Sequence, residues 1–149
     1  MKVHNILSQK GTVVYSVNAS STVYDALKIM ADKNLGALVV TEGKKISGIF
    51  TERDYARKVV LKGKFSKETS IADIMHPDPV TVTEDASIGE CMTLMTNNFI
   101  RHLPVVRNGE LAGMISIGDV VKFIIREQQF IIENLDNYIS GSSGGIDNK

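Results

Sequence analysis

The sequence predicts a mixed α+β protein in which two copies of one β-α-β-β-α unit pack through their sheets as a pseudo-two-fold pair. First, a shift of 65 residues (82 − 17) aligns two halves of the chain without a gap and places Val17 on Val82. Second, both halves carry strand and helix signals in the same order. Third, a unit of about 55 to 60 residues is small for a core of its own, which favours two units that share one.

Identical residues recur through the whole length of the repeat. The matched pairs are Val17 and Val82, Met30 and Met95, Leu38 and Leu103, Val40 and Val105, Gly48 and Gly113, and Asp54 and Asp119. A shorter match at a shift of 68 residues (71 − 3) relates Val3–Leu7 to Ile71–Met75. Each half is therefore expected to begin with a short turn of the same kind.

Each unit is predicted to continue with a short strand and a capped helix. The strands are expected at Val14–Val17 and at Val80–Val82. Thr22-Val-Tyr-Asp25 and Ser87-Ile-Gly-Glu90 then fit the capping box, in which a hydroxyl and a carboxylate satisfy free N–H groups at a helix start. Cys91 lies on the apolar face of the second helix, so we expect a buried core residue rather than a reactive thiol.

A hairpin and a second helix complete each unit. In the first half, strands at Ala37–Thr41 and Ile46–Phe50 flank Glu42-Gly43-Lys44. In the second half, strands at Leu103–Val106 and Leu111–Ile115 flank Asn108-Gly109, a strong hairpin turn signal. Helices are expected from about Glu52 and from about Ile117.

These signals divide the chain into five segments. We assign 1–62 to the first repeat, 63–70 to a linker, 71–125 to the second repeat, 126–140 to a C-terminal helix and 141–149 to a disordered tail rich in Ser and Gly. The C-terminal helix carries an apolar stripe that the repeats need not bury. We expect the stripe to pack across a dimer interface or back on its own module, and its acidic residues disfavour a membrane surface.

Composition excludes several classes of function. Lys and Arg number 17, as do Asp and Glu, so the balanced charge argues against nucleic acid as the main partner. One cysteine allows no internal disulfide, and no paired Cys/His spacing indicates a metal site. The start of the chain shows no export signal, and no apolar run reaches the length of a membrane span. We therefore expect a cytoplasmic protein.

Two sequence motifs carry a family resemblance. Gly48-Ile-Phe-Thr-Glu-Arg-Asp54 and Gly113-Met-Ile-Ser-Ile-Gly-Asp119 each follow a hairpin and precede a helix, and Asp73-Ile-Met75 precedes the second unit. With these motifs, residues 1 to about 125 resemble a tandem pair of CBS domains, also called a Bateman module. The resemblance implies clefts between the repeats that bind AMP, ADP, ATP, NAD(H) or S-adenosylmethionine, with no required cofactor. It also implies dimerisation of the pairs.

The motifs offer suitable chemistry for such a ligand. The hydroxyls of Thr51 and Ser116 can meet phosphate or sugar oxygens, and the carboxylates of Asp54 and Asp119 suit a ribose diol. The same Ser/Thr-x-x-Asp pattern is also a capping box, and the two roles are compatible.

A second constellation is Arg101-His102, just before the second hairpin. By resemblance, Arg101 reaches phosphate, His102 assists with a charge that responds to pH near neutrality, and backbone groups near Ala37, His102, Val14 and Val80 hold the adenine edge. Gly36 stands where Arg101 stands, and Gly118 stands where Arg53 stands. Because each repeat has one arginine that the other lacks, we expect two inequivalent clefts. Alternatively, Arg101 is a surface residue and His102 is half-buried.

Three functions compete on the sequence alone. The first is a sensor of energy or redox state, in which an adenine nucleotide shifts the pair between conformations that an unidentified effector protein reads. The second is a structural dimerisation module whose clefts bind no ligand. The third is an enzyme. No nucleophile–base pair, metal cluster or phosphate-binding loop is present in the sequence, so we expect no catalytic activity.

Overall fold

The computed structural model describes residues 1–147, with side chains for residues 1–140. The first half forms seven elements. They are α1 (Val3–Lys10), β1 (Ser16–Asn18), α2 (Val23–Lys33), β2 (Ala37–Glu42), β3 (Lys45–Thr51), α3 (Glu52–Asp54) and a π-helical segment (Tyr55–Val60) that continues α3. The second half repeats this order with one additional strand, β4, after its first helix. Its elements are α4 (Ile71–Ile74), β4 (His76–Pro77), β5 (Val82–Thr83), α5 (Ile88–Asn98), β6 (His102–Arg107), β7 (Glu110–Ser116) and α6 (Ile117–Asp147).

The strands form two sheets that share the same core arrangement of a hairpin and one parallel strand. The first sheet has the order β1-β2-β3-β4 and the second has the order β5-β6-β7. In each sheet a short strand runs parallel to the first strand of an antiparallel hairpin. The pair register shifts between Val40 and Thr41 in one hairpin and at the matching place, between Val105 and Val106, in the other. The predicted α+β fold with two repeats is therefore confirmed, and the sheets meet along β3 and β7.

The short strands lie later than the sequence indicated. β1 begins at Ser16 and β5 at Val82, so Val14 and Val80 precede the ladders. The physical reason is the parallel partner: Ser16 is the first residue to lie opposite a β2 residue, Val39, and Val82 is the first to lie opposite a β6 residue, Val105. A strand pattern in the sequence marks apolar alternation, whereas a strand needs a neighbour's hydrogen-bonding groups.

The leading helices are exchanged between the two halves. Val3, Ile6 and Leu7 of α1 are buried in the core of the second repeat, whereas Ile71 and Ile74 of α4 are buried in the core of the first. Matching backbone hydrogen bonds fix both helices: Val3 N–H donates to Ala86 at 2.9 Å, and Ile71 N–H donates to Ser21 at 2.8 Å. Although we assigned 1–62 to the first repeat by sequence, α1 packs with the second.

The rest of the core follows the helical and strand patterns. Cys91 is fully buried in the second core, in agreement with its predicted role. Burial raises the pKa of its thiol, and the nearby Glu90 raises it further. None of the helices in the described part of the chain is both long and apolar enough to cross a membrane.

The second helix of the second repeat and the predicted C-terminal helix are one element. α6 runs without a break from Ile117 to Asp147, past the boundary at residue 126 that the sequence indicated. The end of the repeat match is therefore not the end of the helix, since good helix formers continue through Glu127, Gln128 and Gln129. The predicted disordered tail, 141–149, begins within this helix. Its side chains and all of residues 148 and 149 lie outside the described residues.

Candidate functional site

A cleft of about 560 Å³ opens between the two repeats. This volume lies within the range of about 300–1,000 Å³ that is typical of small-molecule sites. The cleft takes one wall from the end of β3 and the start of α3, and the other from the segment between α5 and β6. Its lining residues are Gly36, Ile49, Thr51, Glu52, Arg53, Asp54, His76, Pro79, Val80, Asn98, Phe99, Ile100, Arg101 and His102.

The first wall is organised by a capping box. The Asp54 carboxylate accepts hydrogen bonds from the Thr51 backbone N–H at 3.0 Å and from the Thr51 hydroxyl at 3.1 Å. In return, Thr51 Oγ1 accepts from the Asp54 N–H at 3.1 Å. The capping interpretation of this motif is thus confirmed. Asp54 Oδ1 lies 3.3 Å from Lys58 Nζ, and the side chain keeps 14% of its surface exposed.

The second wall brings an imidazole close to the first repeat. Gly36 and His102 face each other, since a Cβ atom at Gly36 would lie 3.7 Å from His102 Cε1. Burial lowers the pKa of His102 below its ordinary value, and Lys10 and Arg101 lower it further against the opposing effects of Asp119 and Glu52. His102 is therefore a neutral, half-buried ring at neutral pH.

Both unmatched arginines line this one cleft. Arg101 comes from the second repeat, and Arg53 reaches across from the first to donate a hydrogen bond from Nη1 to the Phe99 carbonyl at 3.1 Å. Each repeat carries one arginine that the other repeat lacks, but both of these arginines lie in the same cleft. Arg53 and Arg101, whose matching positions are Gly118 and Gly36, therefore place two guanidinium groups at a single site, one from each repeat.

The second motif has different surroundings. Ser116 and Asp119 form their own capping box, with 2.9 Å from the Ser116 N–H to Asp119 Oδ2 and 3.1 Å from the Asp119 N–H to Ser116 Oγ. Asp119 lines a cavity of about 180 Å³ between α1 and α6, where Lys10 Nζ lies 2.5 Å from its Oδ2. Burial raises the pKa of Asp119, but the hydrogen bonds from Lys10 and Ser116 outweigh it and leave that pKa below its ordinary value.

Six of the ten predicted site residues meet in the large cleft, and four lie elsewhere. Thr51, Arg53, Asp54, Val80, Arg101 and His102 line it. Ser116 and Asp119 belong to the second motif, Ala37 is buried in β2, and Val14 precedes β1.

Sequence reasoning missed a run of lining residues, Asn98-Phe99-Ile100, although it directly precedes Arg101. The signal was the end of α5, where Phe99 adopts a left-handed conformation (φ 54°) that turns the chain into the cleft.

Comparison with known proteins agrees with the repeat. The family model described as CBS domain matches twice, over residues 11–61 and 71–126. The chain is 45% identical over 125 residues to the mitochondrial CBS domain-containing protein CBSX3 of Arabidopsis thaliana. The match covers 80% of this chain and 61% of that relative, so the chain spans less than two thirds of its length.

Solved structures agree in fold. A protein with CBS domains from Burkholderia ambifaria shares 48% identity at a TM-score of 0.82, over 86% of this chain and 96% of that one. A CBS-domain containing protein from Agrobacterium tumefaciens shares 36% identity at a TM-score of 0.78, over 82% of this chain and 98% of that one. With two matched domains, two repeats in the fold and a cleft between them, the chain belongs to the CBS domain family and forms a CBS pair.

Proposed function

We propose that the chain is a regulatory module that binds an adenine nucleotide in the large cleft and signals its binding to a partner protein. The observation that carries the proposal is the composition of the cleft. It combines two carboxylates (Glu52 and Asp54), two guanidinium groups (Arg53 and Arg101) and two imidazoles (His76 and His102) with apolar side chains. Such a site suits a ligand that has hydroxyl, anionic and flat apolar parts together.

Each part of a nucleotide finds matching chemistry. The Asp54 carboxylate is held by Thr51 and remains partly exposed, so it can accept hydrogen bonds from a ribose diol. Arg53 and Arg101 can donate to phosphate oxygens in the planar, two-point manner of guanidinium groups. The apolar side chains of Ile49, Val80 and Ile100 would cover the adenine ring.

The family resemblance also assigned backbone groups near Ala37, Val14 and Val80 to the adenine edge. The resemblance assigned the backbone near His102 as well. Val80 and His102 both line the large cleft, so we propose backbone contacts to adenine near these two residues. Candidate ligands are AMP, ADP, ATP and NAD(H), and no cofactor is required. Asp54 is engaged with Thr51 and Lys58, so the site is suited to binding and we assign it no catalytic step.

Binding in this cleft would tie the repeats together. Arg53 and Asp54 come from one repeat, whereas Arg101 and His102 come from the other, so a ligand that contacts both stabilises one relative arrangement. A partner that binds one arrangement better would sense occupancy, because a ligand shifts a conformational equilibrium through its differential affinity. We propose a cytoplasmic energy or redox sensor on these grounds.

The test compares ligands and matched aspartates in a thermal-shift assay. AMP, ADP, ATP, NADH and S-adenosylmethionine are each added to wild type, Asp54→Ala and Asp119→Ala. A ligand at a hundredfold excess over Kd stabilises the folded state by about 2.7 kcal/mol. We expect a rise in Tm for the wild type and for Asp119→Ala and none for Asp54→Ala. If no adenosine ligand raises the Tm of the wild type, the proposal fails and the module is structural.

One observation favours self-association, the alternative function, as an additional role. Beyond the core, α6 carries exposed residues spaced alternately by four and three, the pattern of a coiled-coil seam. The seam consists of Val121, Ile125, Gln128, Ile132, Leu135 and Ile139. Its apolar members are about half exposed, from 47% at Val121 to 58% at Ile139. We propose that two copies pair along this seam to form a homodimer.

Light scattering after size exclusion tests the pairing. The wild type is expected at twice the chain mass of 16.3 kDa. Ile132→Glu should shift the mass to that of the monomer, because a charge in the seam is costly to bury. Glu133→Gln, one residue away and outside the seam, is the control and should stay dimeric. A monomeric wild type would exclude pairing along α6.

A further inference from the structure

The two halves differ in what contacts the aspartate of each motif. Lys10, at the end of α1, places Nζ 2.5 Å from Asp119 Oδ2 and donates to the Met114 carbonyl at 2.7 Å. Met114 lies two residues before Ser116 in the second motif. The carboxylate that matches Asp54 is therefore already paired with a cation from the other end of the chain.

The first motif has no such partner from a leading helix. Asp54 pairs instead with Lys58, four residues along its own helical segment. By the 68-residue shift, the position that matches Lys10 is Asp78, which carries the opposite charge. Pro77 and Pro79 flank Asp78, and α4 ends at Ile74, because proline cannot continue a helix. The contact of α4 with the pair of Asp54 and Lys58 is made by its backbone, since the Ile74 carbonyl accepts a hydrogen bond from Lys58 Nζ at 3.3 Å.

The position of Lys10 is fixed by packing. Val3, Ile6 and Leu7 are buried, so α1 is anchored on the second core over its first two turns. The helix then ends at Gly11, whose N–H donates to the Leu7 carbonyl at 2.7 Å and whose φ of 98° suits glycine. Lys10 is thus the last helical residue and is carried to Asp119 by a rigid element.

The second motif lacks the two arginines of the first, and the basic residues that line the cavity beside Asp119 are Lys10, Lys122 and Arg126. The positions that match Arg53 and Arg101 are Gly118 and Gly36. The cavity of about 180 Å³ beside Asp119 lies between α1 and α6, and Lys10 lines it. We infer that Lys10 blocks the second cleft by pairing with Asp119, a role that we call the latch. Each chain therefore binds one nucleotide, at Asp54, and binds a second only after Lys10 is removed or displaced.

This inference rests on the proposed nucleotide function, and isothermal titration with AMP separates the two. We expect one AMP per wild-type chain and two per chain for Lys10→Met, which removes the ammonium and keeps the apolar stem. Lys10→Gln is a second variant, in case the first folds poorly by circular dichroism. Lys10→Met combined with Asp119→Ala should return to one AMP. Lys44→Met, an exposed lysine in the first hairpin turn, is the charge-matched control and should also bind one.

Every other result of the titration refutes either the latch or both the latch and the AMP site. Two AMP molecules on the wild type, or one on both Lys10 variants, would overturn the latch and leave the first site intact. Loss of binding in Lys10→Met would overturn it as well, because Lys10 would then be a ligand residue. If neither the wild type nor the variants bind AMP, both the latch and the AMP site are refuted.

Discussion

Arg53 of the first repeat donates a hydrogen bond to the carbonyl of Phe99 in the second, at 3.1 Å. The contact crosses the mouth of the cleft and joins residues that are 46 positions apart. Arg53 and Arg101 both line this cleft. Each wall of the cleft therefore carries one guanidinium group, and this pair of arginines, whose matching positions are Gly118 and Gly36, distinguishes the cleft from the second motif.

Replacing Arg53 should weaken the binding of phosphorylated ligands. For Arg53→Met we expect the Kd of ATP to rise about fivefold, or about 1 kcal/mol, because exposed charge pairs contribute up to about that amount. The effect should shrink between about 0.1 M and about 1 M salt, since screening weakens interactions between exposed charges. Titration calorimetry at two salt concentrations measures both effects. Arg57→Met, on the same helical segment but outside the lining, is the control, and an equal effect there would refute a specific role for Arg53.

His102 should make nucleotide binding depend on pH. Its pKa is lowered by burial and by the cations Lys10 and Arg101, so the ring is neutral in the free protein at neutral pH. A phosphate placed nearby favours the charged ring and raises this pKa, so binding should take up a proton and strengthen as pH falls. Calorimetry at one pH in buffers of different ionisation enthalpy reports the proton uptake. His102→Gln should abolish it, and unchanged uptake in that variant would assign the proton to another group.

His102 should also make the stability of the folded protein depend on pH. Nucleotide binding should strengthen as pH falls, whereas the free energy of unfolding should decrease. Because the folded state lowers the pKa of His102, the unfolded chain binds more protons just below the ordinary imidazole value of about 6.5. Stability contributed by the neutral ring is therefore present above that value and is lost as pH falls below it. As pH falls below about 6.5, the urea concentration at the unfolding midpoint should fall more steeply for the wild type than for His102→Gln. His4→Gln, on the exposed face of α1, should behave like the wild type.

The sequence predicted those features that depend on neighbours along the chain. The capping boxes at Thr22, Thr51 and Ser87 form as expected, since each needs only groups three residues apart. The second hairpin turns at Asn108-Gly109, where both residues adopt positive φ. Such short-range hydrogen bonds can be predicted because they need particular residue types at fixed spacings along the chain.

Features that depend on packing between the halves were not predictable. Val3 and Ile71 match each other in sequence, but nothing local indicates that each packs on the opposite repeat. The contact of Lys10 with Asp119 follows from that exchange, whereas the meeting of Arg53 and Arg101 in one cleft follows from the packing of the two repeats against each other. The π-helical segment after Asp54 was also not predicted, because the spacing of apolar residues does not separate it from an α-helix over six positions.

Cys91 should react only after unfolding. It is fully buried, and its raised pKa leaves little of the thiolate that thiol reagents attack. We expect no reaction of the native protein with an aromatic disulfide reagent. In concentrated denaturant, one thiol per chain should react, as measured by the absorbance of the released thiolate. Rapid reaction of the native protein would show that the second core opens locally.

The matched glycines Gly48 and Gly113 should differ in their tolerance of a methyl group. A Cβ at Gly48 would lie 2.8 Å from the His76 carbonyl oxygen, and a Cβ at Gly113 would lie 3.1 Å from Leu7 Cδ2. A backbone carbonyl cannot move aside as a leucine methyl can, so Gly48→Ala is the harsher change. Overpacking typically costs about 1–3 kcal/mol, and we expect Gly48→Ala near the upper end and Gly113→Ala near the lower end.

A double substitution tests the physical reason for this difference. Leu7→Val removes both δ-methyl groups, which would lie 3.1 and 3.2 Å from a Cβ at Gly113, so the cost of Gly113→Ala should be smaller in that background. Urea unfolding of the four proteins gives the coupling energy, which we expect to be about 0.5–1 kcal/mol for residues in contact. A Cβ at Gly48 would also lie 2.6 Å from Met75 Sδ. Met75→Ala should nevertheless relieve Gly48→Ala less, because the His76 carbonyl remains. If Leu7→Val does not reduce the cost of Gly113→Ala, the close approach of α1 to β7 is not what requires glycine at this position.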